Sequence, residues 1–150
     1  MKRTILGTLG TALLAALLCA AAQAQQILIG QTVGVTGSAA ATVAESTRGA
    51  ALYIDHVNAR GGVGGQKVEI VLLDDKFDPK LTLENTRTLI EQKGVIGLFM
   101  TRGTPHTQGI IPLLEQHGVP LVGPSTGAIA LHRPVSKYIF NVRAPYQREV

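Results

Sequence analysis

Several residue types are scarce in this 150-residue sequence. Tryptophan is absent, cysteine occurs once, at Cys19, and aromatic residues make up only 4% of the chain. A disulfide-stapled fold is therefore excluded, because it needs several cysteines. Hydrophobic residues nevertheless reach 45% and charged residues 16%, which excludes a disordered or collagen-like chain and leaves enough apolar side chains for one ordinary domain.

The first 24 residues have the pattern of a secretory signal peptide. Two basic residues begin it, residues 5–22 carry no charge, and Ala22-Gln23-Ala24 fits a small-x-small cleavage site. The strongly apolar stretch is too short for a membrane span, which needs about 20 such residues. We predict cleavage after Ala24, and no lipid on Cys19, because a leucine stands before this cysteine where a lipoprotein signal has a small residue.

Basic residues are also few once the leader is set aside. Without Lys2 and Arg3 the chain has 12 basic and 10 acidic side chains, a net charge of +2. The basic residues are scattered and have no interleaved aromatics, so the sequence has no nucleic-acid-binding pattern. Residues 25–150 contain no cysteine. That suits an oxidising compartment and excludes cysteine nucleophiles, zinc–thiolate sites and iron–sulfur clusters.

Strand-like and helix-like segments alternate along residues 25–150. Short apolar runs rich in β-branched residues predict strands, and apolar residues at 3.6-residue spacing, such as Ala50, Ile54 and Val57, predict helices. Helix-length connections between short strands are typical of a parallel sheet, so we predict a doubly wound α/β domain. The predicted strands are 27–33, 67–73, 95–100, 119–122 and 138–142, and the predicted helices are 42–60, 79–93 and 105–118.

Three turns rich in Gly, Ser or Thr are the candidate binding elements. They are residues 36–42, 101–107 and 123–126, each after a predicted strand. In such sheets ligands bind at the carboxyl ends of the strands, near helix N-termini whose free amides favour an anion. These turns could hold a carboxylate or a phosphate. The simpler alternative is that Thr104 and Ser125 only cap their helices, but three turns at one edge favour binding.

Other motifs are weaker candidates for chemistry. Asp74-Asp75 could bind a metal, although such a pair more often forms a turn and caps a helix. Residues 34–37 could form the phosphate turn of a nucleotide-binding domain, although the sequence lacks a G-x-G-x-x-G run. The four histidines show no metal-ligand spacing, and no serine nucleophile has a visible histidine–carboxylate pair. We therefore predict a protein that is not an enzyme and has no catalytic residue, metal or cofactor.

An ordered set of motifs resembles one known family. The set consists of the glycine turn Gly34 to Ser38, the helix from Arg48 to Gly62, Asp74-Asp75 through Asp78-Pro79, the run GVPLVGPST at 118–126 and FNVR at 140–143. It resembles the leucine/isoleucine/valine-binding (branched-chain amino acid) family of periplasmic solute-binding proteins of ABC transporters. Members are more than twice this length. We therefore expect residues 25–150 to be the first segment of the N-terminal lobe, with the second lobe absent.

The resemblance implies a two-lobed type I periplasmic-binding-protein fold that closes on a small solute in the periplasm and docks on an ABC permease in the inner membrane. The implied solute is an amino acid of branched-chain type or a related small carboxylate or amide. An exported ligand-sensing subunit that presents its solute to a receptor is the alternative. A nucleotide-binding α/β domain is a more distant one, because the leader predicts export.

The resemblance also implies the residues of the site. Gly103 and Thr104 after the third strand, with Ser125 and Thr126 after the fourth, match positions that hold the solute's carboxylate. Gly127 stands where amino-acid binders usually have a threonine, and Thr42 stands where a bulky aromatic often closes the pocket. Both substitutions are expected to leave room for a larger solute.

Overall fold

Five parallel strands form one sheet in the order β2-β1-β3-β4-β5. The structure is a computed structural model that describes residues 26–149, so the predicted signal peptide lies outside the described residues. The elements are β1 Ile27–Val33, α1 Ala40–Ala59, β2 Val68–Asp74, α2 Pro79–Glu91, β3 Gly97–Phe99, α3 Thr104–His117, β4 Leu121–Val122 and β5 Ile139–Phe140, with short 3₁₀ turns at Ile129–Leu131 and Tyr146–Arg148.

β1 lies inside the sheet and has the longest pairing. It aligns with β2 over seven residues, from Ile27 opposite Val68 to Val33 opposite Asp74, and pairs with β3 on its other side. The direction of the chain across the sheet therefore changes between β1 and β3. In open α/β sheets this change of direction opens a crevice at the carboxyl ends of the strands.

The helices α2 and α3 cover one face of the sheet. Leu98, Leu121 and Ile139 align in register across three neighbouring strands and are buried with Leu89 of α2 and Ile110 of α3. Burial of such aliphatic side chains is the main term that stabilises a domain of this kind.

The glycine at position 30 allows α2 to approach β1 closely. A Cβ atom at Gly30 would lie 2.7 Å from Leu98 Cδ2 and 3.1 Å from Leu89 Cδ1. Both distances are shorter than ordinary contacts between carbon atoms. Because Gly30 has no side chain, Leu89 of α2 and Leu98 of β3 fill the space next to this position of β1.

The helix α1 covers the opposite face more loosely. Val43 is its one buried residue, and it packs with Val33 and Ala39 against half-buried Leu72. Farther along, the predicted apolar stripe Ala50, Ile54 and Val57 lines a 370 Å³ cavity against Ile29 and Ile70 of the sheet. The predicted doubly wound α/β fold, with helices on both faces, is confirmed, and the apolar stripe of α1 faces the sheet.

Local signals fix several helix ends. Asp78 is the N-cap of α2, since its carboxylate accepts a hydrogen bond from the Lys80 N–H at 2.8 Å, and Pro79 occupies the first turn. Gly118 ends α3 in the left-handed conformation that favours glycine. The strands β3, β4 and β5 are shorter than predicted. Within residues 26–149, no helix is both long and apolar enough to cross a membrane.

Candidate functional site

The chain segments that follow β3 and β4 continue side by side beyond the strands. Arg102 and Ser125 form an isolated parallel bridge. The Ser125 N–H donates to the Thr101 carbonyl at 2.8 Å, and the Gly103 N–H donates to the Ser125 carbonyl at 3.5 Å. Two of the three predicted binding turns, 101–107 and 123–126, therefore meet at one edge of the sheet.

Three hydroxyl groups converge at this edge. The Thr104 and Thr126 hydroxyl oxygens are 2.7 Å apart, and the Thr126 hydroxyl is 3.1 Å from the Tyr146 hydroxyl. Thr126 is fully buried, whereas Tyr146 is 46% exposed. We call Thr104, Thr126 and Tyr146 the hydroxyl cluster. Because it lies at the N-terminus of α3, its surroundings favour a bound anion.

The simpler alternative, in which Thr104 and Ser125 only cap helices, is wrong, because neither side chain caps a helix. The N-cap of α3 is Gly103, which has no side chain to accept a hydrogen bond, and Thr104 is the first helical residue. Its hydroxyl instead contacts Thr126 across 22 residues of sequence. Ser125 lies in the bridge to Arg102 and precedes no helix directly.

Gly103 is required by the local geometry of this turn. Its φ of 96° lies in the region that favours glycine, and a Cβ there would be 2.5 Å from His106 Nδ1. The buried His106 ring stacks on Phe77 with centroids 4.5 Å apart. Gly103 therefore lets α3 begin directly above a packed aromatic pair.

The space above Gly127 is occupied. A Cβ at Gly127 would lie 2.7 Å from the Ala144 carbonyl oxygen and 2.8 Å from Tyr146 Cδ1. The Tyr146 N–H donates to the Gly127 carbonyl at 2.8 Å. The expectation that Gly127 leaves room for a larger solute is therefore wrong in this arrangement, since the segment 144–146 fills that room.

Tyr146 is the member of the hydroxyl cluster that the sequence did not predict. Its position is supported by Arg143, whose guanidinium lies 5.1 Å from the centre of the tyrosine ring and is paired with Glu149, the Nη2–Oε2 distance being 2.7 Å. The hydrogen bond with Thr126, followed by the one at Gly127, lowers the pKa of the Tyr146 hydroxyl. The three-residue spacing of Arg143, Tyr146 and Glu149 is the signal that could have indicated a helical turn, because such spacing places the three side chains on one face of the turn.

The start of the first predicted binding turn, 36–42, is bonded to a carboxylate of the protein. Asp74 accepts hydrogen bonds from the Val35 N–H at 2.9 Å, the Thr36 N–H at 3.2 Å and the Thr36 hydroxyl at 2.6 Å. These donors are the ones that a phosphate would need in the nucleotide-binding alternative. Thr42 lies exposed in the first turn of α1, where its carbonyl accepts a hydrogen bond from Ser46, and the structure does not bring it into the hydroxyl cluster.

The adjacent Asp75 has a structural role as well. This buried carboxylate accepts hydrogen bonds from the Thr82 hydroxyl at 2.9 Å, the Phe77 N–H at 2.9 Å and the Thr32 hydroxyl at 3.3 Å. Asp74 and Asp75 thus form the turn between β2 and α2, as the simpler alternative predicts. Among residues 26–149, no group of three or more His, Cys, Asp or Glu side chains is placed to hold a metal ion.

A model of the family described as periplasmic binding protein matches residues 26–150. The chain belongs to this family. Leu/Ile/Val-binding protein homolog 7 of Brucella suis is 32% identical over 117 residues, which cover 77% of this chain and 29% of that protein. The chain thus spans about a third of the length of the curated relatives it matches.

Solved structures of this family share the fold. The branched-chain amino acid transporter substrate binding protein of Streptococcus pneumoniae, in complex with isoleucine, matches with a TM-score of 0.75 and 28% identity, covering 81% of this chain and 34% of that one. A fatty acid ABC transporter substrate-binding protein of Thermomonospora curvata matches with a TM-score of 0.71 and 28% identity, covering 81% and 30%. The relatives of this periplasmic binding protein are substrate-binding proteins rather than enzymes.

Proposed function

We propose that this periplasmic binding protein holds a small solute by its carboxylate at the hydroxyl cluster. The observation that carries the proposal is the convergence of Thr104 and Thr126, 2.7 Å apart, at the N-terminus of α3. Hydroxyl groups and helix-terminal amides bind a carboxylate without a buried positive charge. Gly103 and Ser125 position these groups, because their backbones join the two turns.

The proposed solute is an amino acid of branched-chain type or a related small carboxylate or amide. Two relatives support this class, since one was solved in complex with isoleucine and the other is a fatty acid ABC transporter substrate-binding protein. Isoleucine and a fatty acid differ in size and in the ammonium group, but both carry a carboxylate. A site built on hydroxyl groups fits the group that they share.

We further propose a role in uptake across the inner membrane. The leader at residues 1–24 predicts export to the periplasm, and the family is one of solute-binding proteins. The relatives are about three times as long as the matched segment, which is enough for a second lobe. On this proposal the second lobe closes over the bound solute, and the closed protein docks on an ABC permease. Thr42, exposed at the start of α1, is then a residue that faces the solute's other end.

The test is binding of carboxylates to variants of Thr104 in the purified protein. Thr104→Val keeps the shape of the side chain and removes its hydroxyl, while Thr104→Ser keeps the hydroxyl. Calorimetric titration with L-isoleucine and octanoate is expected to show affinity at least about tenfold weaker for the valine variant and close to wild type for the serine variant. Equal affinities of the valine variant and wild type would place the site elsewhere.

A further inference from the structure

The hydrogen bonds of Thr126 leave one hydroxyl group of the hydroxyl cluster free to donate a hydrogen bond outside the cluster. The Thr126 oxygen has one proton and two lone pairs. One lone pair accepts the Ala128 N–H at 3.3 Å. Of its contacts to Thr104 and Tyr146, Thr126 can therefore accept one and donate the other. The neighbour that accepts a hydrogen bond from the Thr126 hydroxyl can donate its own O–H to an acceptor outside the cluster.

The difference in exposure favours Tyr146 as that neighbour. Tyr146 is 46% exposed as a residue, whereas Thr126 is fully buried and Thr104 is half-buried beside it. Donation from Thr126 to the phenol oxygen also agrees with the direction in which this contact moves the pKa of Tyr146. The chain of donors then runs from Thr104 through Thr126 to Tyr146, and each bond in such a chain polarises the next.

We propose that Tyr146 is the residue that donates a hydrogen bond directly to the solute's carboxylate, and that Thr104 and Thr126 position and polarise it. This inference rests on the proposed function and adds a solute-contacting residue to it. Gly127 is needed for this position of Tyr146, since any side chain at residue 127 would collide with Tyr146 and Ala144. Because Gly127 has no side chain, Tyr146 can pack against it and place its hydroxyl at this edge of the site.

The test compares Tyr146→Phe with Tyr53→Phe by calorimetric titration of the purified protein. Tyr53 is a matched control, because its ring is 70% exposed on α1. With L-isoleucine or octanoate, Tyr146→Phe is expected to weaken binding about tenfold to a hundredfold, while Tyr53→Phe binds like wild type. The ratio of affinities for L-isoleucine over L-isoleucinamide is also expected to fall in Tyr146→Phe, because a hydrogen bond to a charged acceptor is the stronger one.

A second variant tests the link to Gly127. Gly127→Ala displaces Tyr146 and is expected to weaken binding as much as Tyr146→Phe, with no further loss in the double variant, since both remove one contact. Circular dichroism checks that each variant is folded.

The outcomes separate the two proposals. If wild type binds neither carboxylate, the proposed function fails and this inference fails with it. If wild type binds and Tyr146→Phe binds as tightly, only the role of Tyr146 is overturned, and the same holds if Tyr53→Phe weakens binding equally. A Gly127→Ala variant with wild-type affinity overturns the link between the glycine and the tyrosine.

Discussion

At the scale of single residues, Asp74 makes the stability of the protein depend on pH. The hydrogen bond from the Thr36 hydroxyl is the main reason that the pKa of Asp74 falls from its ordinary 3.8 to about 2, with the Lys76 N–H and the turn amides acting in the same direction. A carboxylate with a lowered pKa in the folded state stabilises that state above pH 4, and this contribution is lost as the pH falls towards 2.

Asp74→Asn is therefore expected to lower the stability of the protein by about 1 kcal/mol at pH 7, after allowance for solvent screening of this partly exposed group. Because wild type loses the same contribution in acid, the difference between the two proteins should shrink between pH 4 and pH 2. Urea unfolding across this pH range measures it, with Asp55→Asn on the exposed side of α1 as control. A difference that stays constant with pH would contradict the assigned role.

The scale of helices and strands shows what the sequence can predict. β1 and the start of α2 are predicted correctly because their signals are local, an apolar run in one case and Asp78-Pro79 in the other. Tyr146 could not be predicted in the same way. Its contact with Thr126 joins two residues that are 20 apart in the sequence. The contact also depends on Gly127, where any side chain would collide with the segment 144–146. The capping role of Thr104 fails for a similar reason, since the partner of its hydroxyl, Thr126, lies beyond β4.

Two glycines in regular elements have opposite expected effects when changed to alanine. A Cβ at Gly30 meets leucine side chains at 2.7 and 3.1 Å, so Gly30→Ala is expected to destabilise the protein by about 1–3 kcal/mol. A Cβ at Gly109, inside α3, meets nothing within 4 Å, so Gly109→Ala is expected to stabilise it by about 0.5–1 kcal/mol. Denaturant unfolding of both variants checks the signs. Stabilisation by Gly30→Ala would show that α2 packs less closely on β1 than described.

At the scale of the whole molecule, topology and an internal carboxylate together favour one edge of the sheet as the proposed binding edge. The sheet changes direction between β1 and β3, where ligands bind in related α/β sheets. Asp74 accepts hydrogen bonds from Val35 and Thr36 in the turn after β1, so we favour the turns after β3 and β4 as the donors to the solute. The sequence predicts all three turns as candidates. It cannot rank them, because the ranking depends on which carboxylate of the folded chain reaches which turn.

The last prediction concerns export, on which the proposed role in uptake depends. A solute-binding protein that serves an inner-membrane permease has to meet its solute outside the cytoplasm, so the protein has to be exported. Because Ala22-Gln23-Ala24 fits a cleavage site and Leu18 precedes Cys19, we expect a periplasmic protein that begins at Gln25 and carries no lipid. Intact-mass spectrometry of a periplasmic extract measures both features. Ala24→Leu is expected to block cleavage and keep the protein with the membrane. A diacylglyceryl group on Cys19 would instead mean a membrane-anchored binding protein, and an uncleaved protein in the cytoplasm would remove the basis for the uptake role.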